Sequence, residues 1–464
     1  MLSMRTRVSA VARTDAVFKA YDIRGTYPDQ IDGTLIRALG AAVAKHCAVP
    51  TLLVARDMRA SGVELTAAFA EGAATQGVGI IDLGMASTDF LYFAAGHLNA
   101  PGAMFTASHN PAQYNGVKLC YAGARPIGQD TGLAEIQALT EGFLASPPPH
   151  AIPDVSERDL LGEWVKHVHS FIDVGALRPL KIIADTANGM GGLVVPLVMA
   201  GLPFEVEILY PELDGTFPNH PADPIQPENL VALQQAVLER GADIGLAFDG
   251  DADRVFLVDE HAEGVSGSLT TAMVADAMLT KHPGATILYN LICSKVVPEV
   301  VEAQGGTAVK TRVGHSFIKA EMQRTSAIFG GEHSGHYYYR DNFNADSGII
   351  TAMVVLELMG TTGKSLSELA LPYARYSASG EINTEVPSPS AAVAAVAAHL
   401  QGTNAILDHL DGLTATYDDW WFNLRPSNTE PLLRLNLEAP TPEMVSLHVK
   451  EVQEMIRTLL SNPN

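Results

Sequence analysis

Apolar and polar positions along the chain switch between two periods. Short apolar runs at 51–55, 78–82, 101–105 and 116–120 read as buried strands. Between them, 35–47, 62–76, 87–98 and 131–145 repeat their apolar residues at helical spacing. Pro147-Pro148-Pro149 then makes a stiff break. After a linking helix over 160–172 the pattern restarts with strands at 181–185, 205–210, 243–248 and 255–258 and helices at 192–200 and 229–240. A long Pro-rich loop, 211–227, interrupts this second unit. The third has helices at 268–281, 294–304, 316–324 and 348–358, with strands at 286–291, 307–313, 327–329 and 337–339. Strands alternating with helices three times over predict parallel or mixed sheets with helices on both faces. Beyond about residue 370 the alternation ends. A strand at 381–386, an Ala-rich helix at 391–400, two or three strands within 413–437 and a final helix at 442–460 make a smaller α+β domain. The expected divisions are 1–150, 151–258, 259–368 and 369–464.

Composition narrows the partners. The chain of 464 residues carries 30 Lys+Arg against 52 Asp+Glu, a formal charge of −22. Such a field repels polyanions, so no nucleic acid and no anionic membrane is expected as main partner. An anionic small substrate needs a local basic pocket. Cys47, Cys120 and Cys293 are scattered and fit no metal spacing, which suits a reducing, cytoplasmic compartment. No apolar run reaches the roughly 18 residues of a membrane helix. The basic start of the chain lacks the apolar core of a signal peptide.

Chemistry concentrates where predicted strands end. Thr106-Ala107-Ser108-His109-Asn110-Pro111 follows the run 101–105, and Pro111 stops the ladder. In open α/β sheets such an edge binds ligands. Ser108 beside small Ala107 is a reachable nucleophile with His109 as base or donor, or else part of a polar turn. Lys118, inside the next short strand, is an edge charge or a group aimed at a site. After the strand 243–248 come Asp249, Asp251 and Asp253, three carboxylates within five residues. Their repulsion calls for a cation unless the loop is simply solvated, and all-oxygen donors suit Mg²⁺ or Ca²⁺. An EF-hand loop half fits, with Glu260 at position 12, but Arg254 stands where its turn wants glycine and the flanks read as strands. Arg254 itself is placed to meet a phosphoryl group. Glu332 and Ser334 sit in a Gly-bounded loop that can bring both to neighbouring hydroxyls, with His333 and His336 as donors, or else forms a plain Gly-rich hairpin. Arg425, Ser427, Asn428 and Thr429 offer the parts of a phosphate clamp, or a plain Pro-containing turn.

A reactive serine, a cation site, a polyol binder and a phosphate clamp on four successive units together suit phosphoryl transfer to and from a sugar phosphate. The motifs, in order, are Lys19-Ala20-Tyr21-Asp22-Ile23-Arg24-Gly25, the Ser108 loop, Asp249-Gly250-Asp251-Ala252-Asp253-Arg254, Gly331-Glu332-His333-Ser334-Gly335 and Arg425-Pro426-Ser427-Asn428-Thr429. In this set the chain resembles the α-D-phosphohexomutase family, bacterial phosphomannomutases/phosphoglucomutases in particular, along essentially its whole length.

The resemblance implies three similar α/β domains with mixed sheets plus a C-terminal α+β domain, TATA-binding-protein-like, around a central cleft. It implies a phosphorylated Ser108, Mg²⁺ held by Asp249, Asp251, Asp253 and a phosphoserine oxygen, and sugar hydroxyls on Glu332 and Ser334. Arg425, Ser427, Asn428 and Thr429 would hold the phosphate not in transfer. Tyr21, Arg24, His109, Lys118, Arg254, His315 and His336 would line the reacting end, with Lys118, His315 and His336 as candidate proton carriers. The expected reaction interconverts hexose 6- and 1-phosphates, mannose first and glucose also, through a hexose 1,6-bisphosphate that doubles as activator. Phosphoglucosamine mutase and a Ser108-dependent phosphohydrolase are the alternatives. Partners are small sugar phosphates, and the protein is a monomer or homodimer. Two departures stand out. Ala252 replaces a common glycine, and Ile292 sits where some dual-specificity relatives carry a lysine.

Overall fold

The computed structural model describes residues 10–426 and 432–461. They fall into two compact units. One is drawn from Met1–Ser266, Gly314–Gly330 and Ser334–Leu369, the other from Gly267–Val313, Gly331–His333 and Ala370–Asn464.

The first unit holds a six-stranded mixed sheet. Strand Thr51–Arg56 lies between Gly79–Met85 and Gly102–Phe105 and runs parallel to both. Tyr114–Cys120 then turns back antiparallel along Gly102–Phe105, and Ile23–Thr26 pairs antiparallel on its far side. The hairpin puts Lys118 opposite Met104, two residues short of Thr106. The core strands are almost continuously apolar because helices cover both faces. Helices Gly33–Cys47 and Ser61–Ala74 cross at two glycines. A Cβ on Gly40 would stand 2.1 Å from the Phe69 carbonyl oxygen, and one on Gly72 would stand 1.9 Å from that of Arg37. Strand Val155–Glu157 extends this sheet beside Gly79–Met85, so the sheet continues past the Pro147–Pro149 break. Three exposed residues carry no readable strand pattern, and the pairing is set by the neighbouring strand.

The second sheet repeats the plan. Leu180–Asp185 is parallel to Phe204–Leu209 and to Ile244–Phe248, and Val255–Val258 returns antiparallel. The Ser108 and Asp249 loops therefore both leave the carboxyl end of a parallel strand, before an antiparallel return. Helix Gly348–Thr362 is apolar nearly all round because it is buried nearly all round.

In the other unit, Thr286–Asn290 and Thr307–Thr311 pair in parallel. Its C-terminal part is a five-stranded antiparallel sheet, Ser377–Glu385, Leu432–Ala439, Trp421–Pro426, Leu413–Thr416 and Ile406–Asp408 in spatial order. Helices Pro389–Leu400 and Pro442–Ser461 pack against it. This is the α+β domain expected, with Ile406–Asp408 as a strand too short to read from sequence. No single helix among the described residues is long and apolar enough to cross a membrane. All three cysteines are free thiols.

Candidate active site

Ser108 is buried, and its backbone takes a left-handed φ of 49°. Its N–H donates to Thr106 Oγ1 at 2.8 Å, and its Oγ donates to Asp249 Oδ2 at 2.7 Å. The two loops sit back to back. A Cβ on Gly250 would lie 2.4 Å from the Ser108 carbonyl oxygen, so only glycine allows this approach. His109 Nδ1 is 3.3 Å from Ser108 Oγ. Burial, reinforced by Arg254 and Arg24, holds the His109 imidazole well below its ordinary pKa.

Asp249, Asp251 and Asp253 are all buried, with ligand oxygens within 4.8 Å of one another. Asp251 Oδ1 and Asp253 Oδ1 have no hydrogen-bond partner among the described residues. Two buried carboxylate oxygens without a hydrogen bond are costly unless a cation meets them. Their hard, all-oxygen character fits a small divalent ion. Lys118 Nζ bonds Asp251 Oδ2 at 2.8 Å and Asp253 Oδ2 at 2.6 Å. Burial alone would lower this lysine, but the two carboxylates outweigh it and raise it well above its usual value. Burial raises Asp249, while Asp251 is lowered because Lys118 and Thr88 outweigh the same burial. Ala252, between the acids, takes a left-handed φ of 59°, which explains why glycine suits this position.

Arg254 donates from Nε to Asp249 Oδ2 at 3.0 Å, and its Nη2 finds no partner among the described residues. Arg24 reaches Asn110 Oδ1 from Nη1 at 2.6 Å and pairs with Asp22. Tyr21 meets the His315 ring edge to face at 5.1 Å between centroids. His315 opens helix His315–Thr325, and neither of its ring nitrogens has a hydrogen-bond partner among the described residues. Burial, with Lys319 nearby, keeps it well below its ordinary pKa. His336 Nδ1 lies 2.9 Å from Asp346 Oδ2 and 3.7 Å from Asp253 Oδ1. The serine loop, the acidic loop, Tyr21, Arg24, Lys118, Arg254, His315 and His336 thus share one unit. Ser334 belongs to the same unit and is half-buried.

The other unit carries Glu332 and Arg425. Buried Glu332 accepts from Asn290 Nδ2 at 3.1 Å. Arg425 Nη2 donates to Glu381 Oε2 at 2.8 Å, and Arg434, directly opposite across the strands, is 3.3 Å from Glu381 Oε1. Ser427, Asn428 and Thr429 lie outside the described residues.

Several supporting residues escape a sequence reading. Thr88 Oγ1 donates to Asp251 Oδ2 at 2.6 Å and its N–H to the Asp251 carbonyl at 3.0 Å, at the N-terminus of helix Thr88–His97. Ser347 Oγ donates to Asp89 Oδ2 at 2.6 Å, and Lys319 pairs with Asp346 at 2.8 Å. Each is a common residue inside a helix or, for Ser347, at a helix N-cap, and only its long-range partner marks it. The strand-end loops themselves were the readable signal.

A buried serine on an acid triplet, flanked by lysine and arginine on a doubly built α/β frame, defines a phosphoryl-transfer enzyme. The comparisons make this specific. Family models match all four segments: Phosphoglucomutase/phosphomannomutase, alpha/beta/alpha domain I at 15–143, domain II at 162–264, domain III at 266–376 and the C-terminal domain at 381–458. A phosphomannomutase of Salmonella montevideo is 40% identical, over 95% of this chain and 99% of its own. A protein of Xanthomonas campestris pv. campestris described as phosphohexose mutases is 39% identical over the same shares. A phosphoglucomutase/phosphomannomutase family protein of Burkholderia thailandensis superposes with a TM-score of 0.86 at 29% identity, covering 96% of this chain and 97% of that one. The chain belongs to the phosphoglucomutase/phosphomannomutase family, and it is a phosphohexose mutase.

Proposed function

We propose that the enzyme interconverts mannose 6-phosphate and mannose 1-phosphate, accepts the glucose phosphates as well, and carries the travelling phosphoryl group on Ser108. The observation that carries this reading is the Ser108 Oγ, buried 2.7 Å from Asp249, with Arg254 on that acid and Lys118 on Asp251 and Asp253. Phospho-Ser108 gives its phosphoryl group to the free hydroxyl of the bound sugar phosphate. The Oγ–P bond breaks as the sugar O–P bond forms. The resulting hexose 1,6-bisphosphate turns over, and its other phosphate returns to Ser108. The same bisphosphate, added in trace, phosphorylates resting enzyme and so acts as activator.

Phosphoryl transfer is mostly positioning and charge stabilisation. Lys118, held protonated, and Arg254, whose Nη2 has no partner among the described residues, supply positive charge to the phosphoryl oxygens. Asp249, Asp251 and Asp253, with a phosphoserine oxygen, would hold Mg²⁺. When bound, that ion neutralises the acids and adds positive charge at the transferring group. His109 and Arg24 contact phosphate or hydroxyl, and Tyr21 packs at the same end. The accepting hydroxyl needs a base. His315, held neutral with both nitrogens bare among the described residues, suits this better than Lys118, while His336 is tied to Asp346. Glu332 and Ser334 read hydroxyls common to both poses of the sugar, and Arg425 with Ser427, Asn428 and Thr429 holds the idle phosphate.

A cytoplasmic location fits the three free thiols. The test is turnover of mannose, glucose and glucosamine phosphates with Mg²⁺ and trace bisphosphate, together with intact mass. The reading expects one phosphoryl group on Ser108 and mannose first. Release of free phosphate without isomerised product would overturn it in favour of a phosphohydrolase.

A further inference from the structure

Arg59 is only 2% exposed, yet it lies in a short connection that carries no motif. A guanidinium has five N–H donors. Here Nε donates to Asp57 Oδ2 at 3.2 Å. Nη1 donates to the carbonyls of Pro111 and Tyr114, both at 2.9 Å. Nη2 donates to the carbonyls of Ser108 at 2.9 Å and Asn110 at 2.6 Å. Every donor is used: three of the bonds end on main-chain carbonyls of the loop that carries the serine, and a fourth on Tyr114, which opens the strand after it. Buried Asp57 balances the charge, and its Oδ1 also accepts the Arg59 N–H at 2.9 Å. Phe217, from the long Pro-rich loop, covers the guanidinium with its ring centre 5.1 Å away.

This matters because Ser108 sits at φ 49°, a left-handed conformation that an L side chain disfavours. Relaxation of that angle would swing Oγ away from Asp249. Something must hold the loop against the strain, and the Arg59 fork is bonded to the strained residue itself. Lysine would keep the charge opposite Asp57 but has three donors on one atom, without the planar fork.

We propose that Arg59 is a positioning residue. It locks the Ser108 loop in the geometry that phosphoryl transfer requires, and Phe217 seals the lock from solvent. The inference rests on Ser108 being the phosphoryl carrier. In the step it supports, the Ser108 Oγ–P bond forms, the sugar O–P bond breaks, and the serine proton ends on the sugar oxygen.

The test is single-turnover transfer from glucose 1,6-bisphosphate to dephosphorylated full-length enzyme, with Arg59→Lys and Phe217→Leu. A misplaced reacting atom costs on the order of 100-fold, so transfer to Arg59→Lys should fall about that much while the KM for mannose 1-phosphate stays within about twofold. Phe217→Leu should slow transfer severalfold, because it removes the aromatic face over the guanidinium. A folded Arg59→Lys that transfers at the parent rate, or whose loss appears wholly in KM, overturns the proposal. Should Arg59→Lys fail to fold, parental transfer by Phe217→Leu overturns it equally. Near-normal mutase turnover in Ser108→Ala would instead defeat the carrier reading itself.

Discussion

At the scale of single residues, the site is a set of charges that stay buried only by meeting one another. Ser108 Oγ meets a carboxylate and an imidazole. It donates to the acid, and His109, kept neutral by burial, is 3.3 Å away. Replacing Ser108 by alanine should lower mutase turnover by about a thousandfold or more, and intact mass should show the phosphoryl group lost. Ala252 makes a second, quieter prediction. Its φ of 59° is one that glycine adopts freely. Ala252→Gly should raise the unfolding free energy by up to about 1 kcal/mol, read by denaturant titration.

At the scale of elements, close backbone approach and strand ends decide what the chain tolerates. Gly40 and Gly72 let two helices touch backbone to backbone. Gly40→Ala must push them apart and should destabilise by about 1–3 kcal/mol, visible as a lower urea midpoint, with KM largely kept. The second sheet carries a pH signature. His220 Nε2 lies 3.0 Å from Asp185 Oδ2, and its Nδ1 lies 2.9 Å from the Pro221 carbonyl. Burial works against its charged form, but the hydrogen bond and charge of Asp185 outweigh it and raise the His220 pKa. A raised histidine contributes stability that is complete below its unfolded value near 6.5 and is lost as pH climbs through the folded value. The gap in melting temperature between the parent and His220→Gln should therefore be widest near pH 5.5 and shrink by pH 8. The elements themselves were largely legible. Helices such as Thr88–His97 and Val231–Arg240 and strands such as Thr51–Arg56 lie within a residue or two of their hydrophobic pattern. Val155–Glu157 and Ile406–Asp408 were not legible, because three residues are too few to show a period and become a strand only by pairing with an existing edge.

At the scale of the whole molecule, a chain of charge −22 gathers its own like charges into one buried triplet. A divalent cation should relieve that repulsion as well as serve catalysis. Chelation should abolish turnover and Mg²⁺ restore it. Saturating Mg²⁺, at about 100 times its Kd, should stabilise the fold by roughly 2.7 kcal/mol. Asp251→Asn should remove most of that gain in a thermal melt. At this size unfolding need not be a single step, so the gain belongs to the transition of the unit that holds the acids.

The sequence by itself determined the alternation of strands and helices, the change to an α+β domain near residue 370, and the loops that carry Ser108, the acid triplet, Glu332 and Arg425. Those are local properties: period, turn chemistry and the clustering of reactive side chains within a few positions. Tertiary structure alone decided that Lys118 bonds Asp251 and Asp253 across more than 130 residues of chain, that Thr88 props the acidic loop, and that Arg59 grips the serine loop. A lone lysine, threonine or arginine carries no pattern around it. Its role comes from which distant carbonyl or carboxylate the fold leaves without another partner, and that is settled only once the sheets have packed.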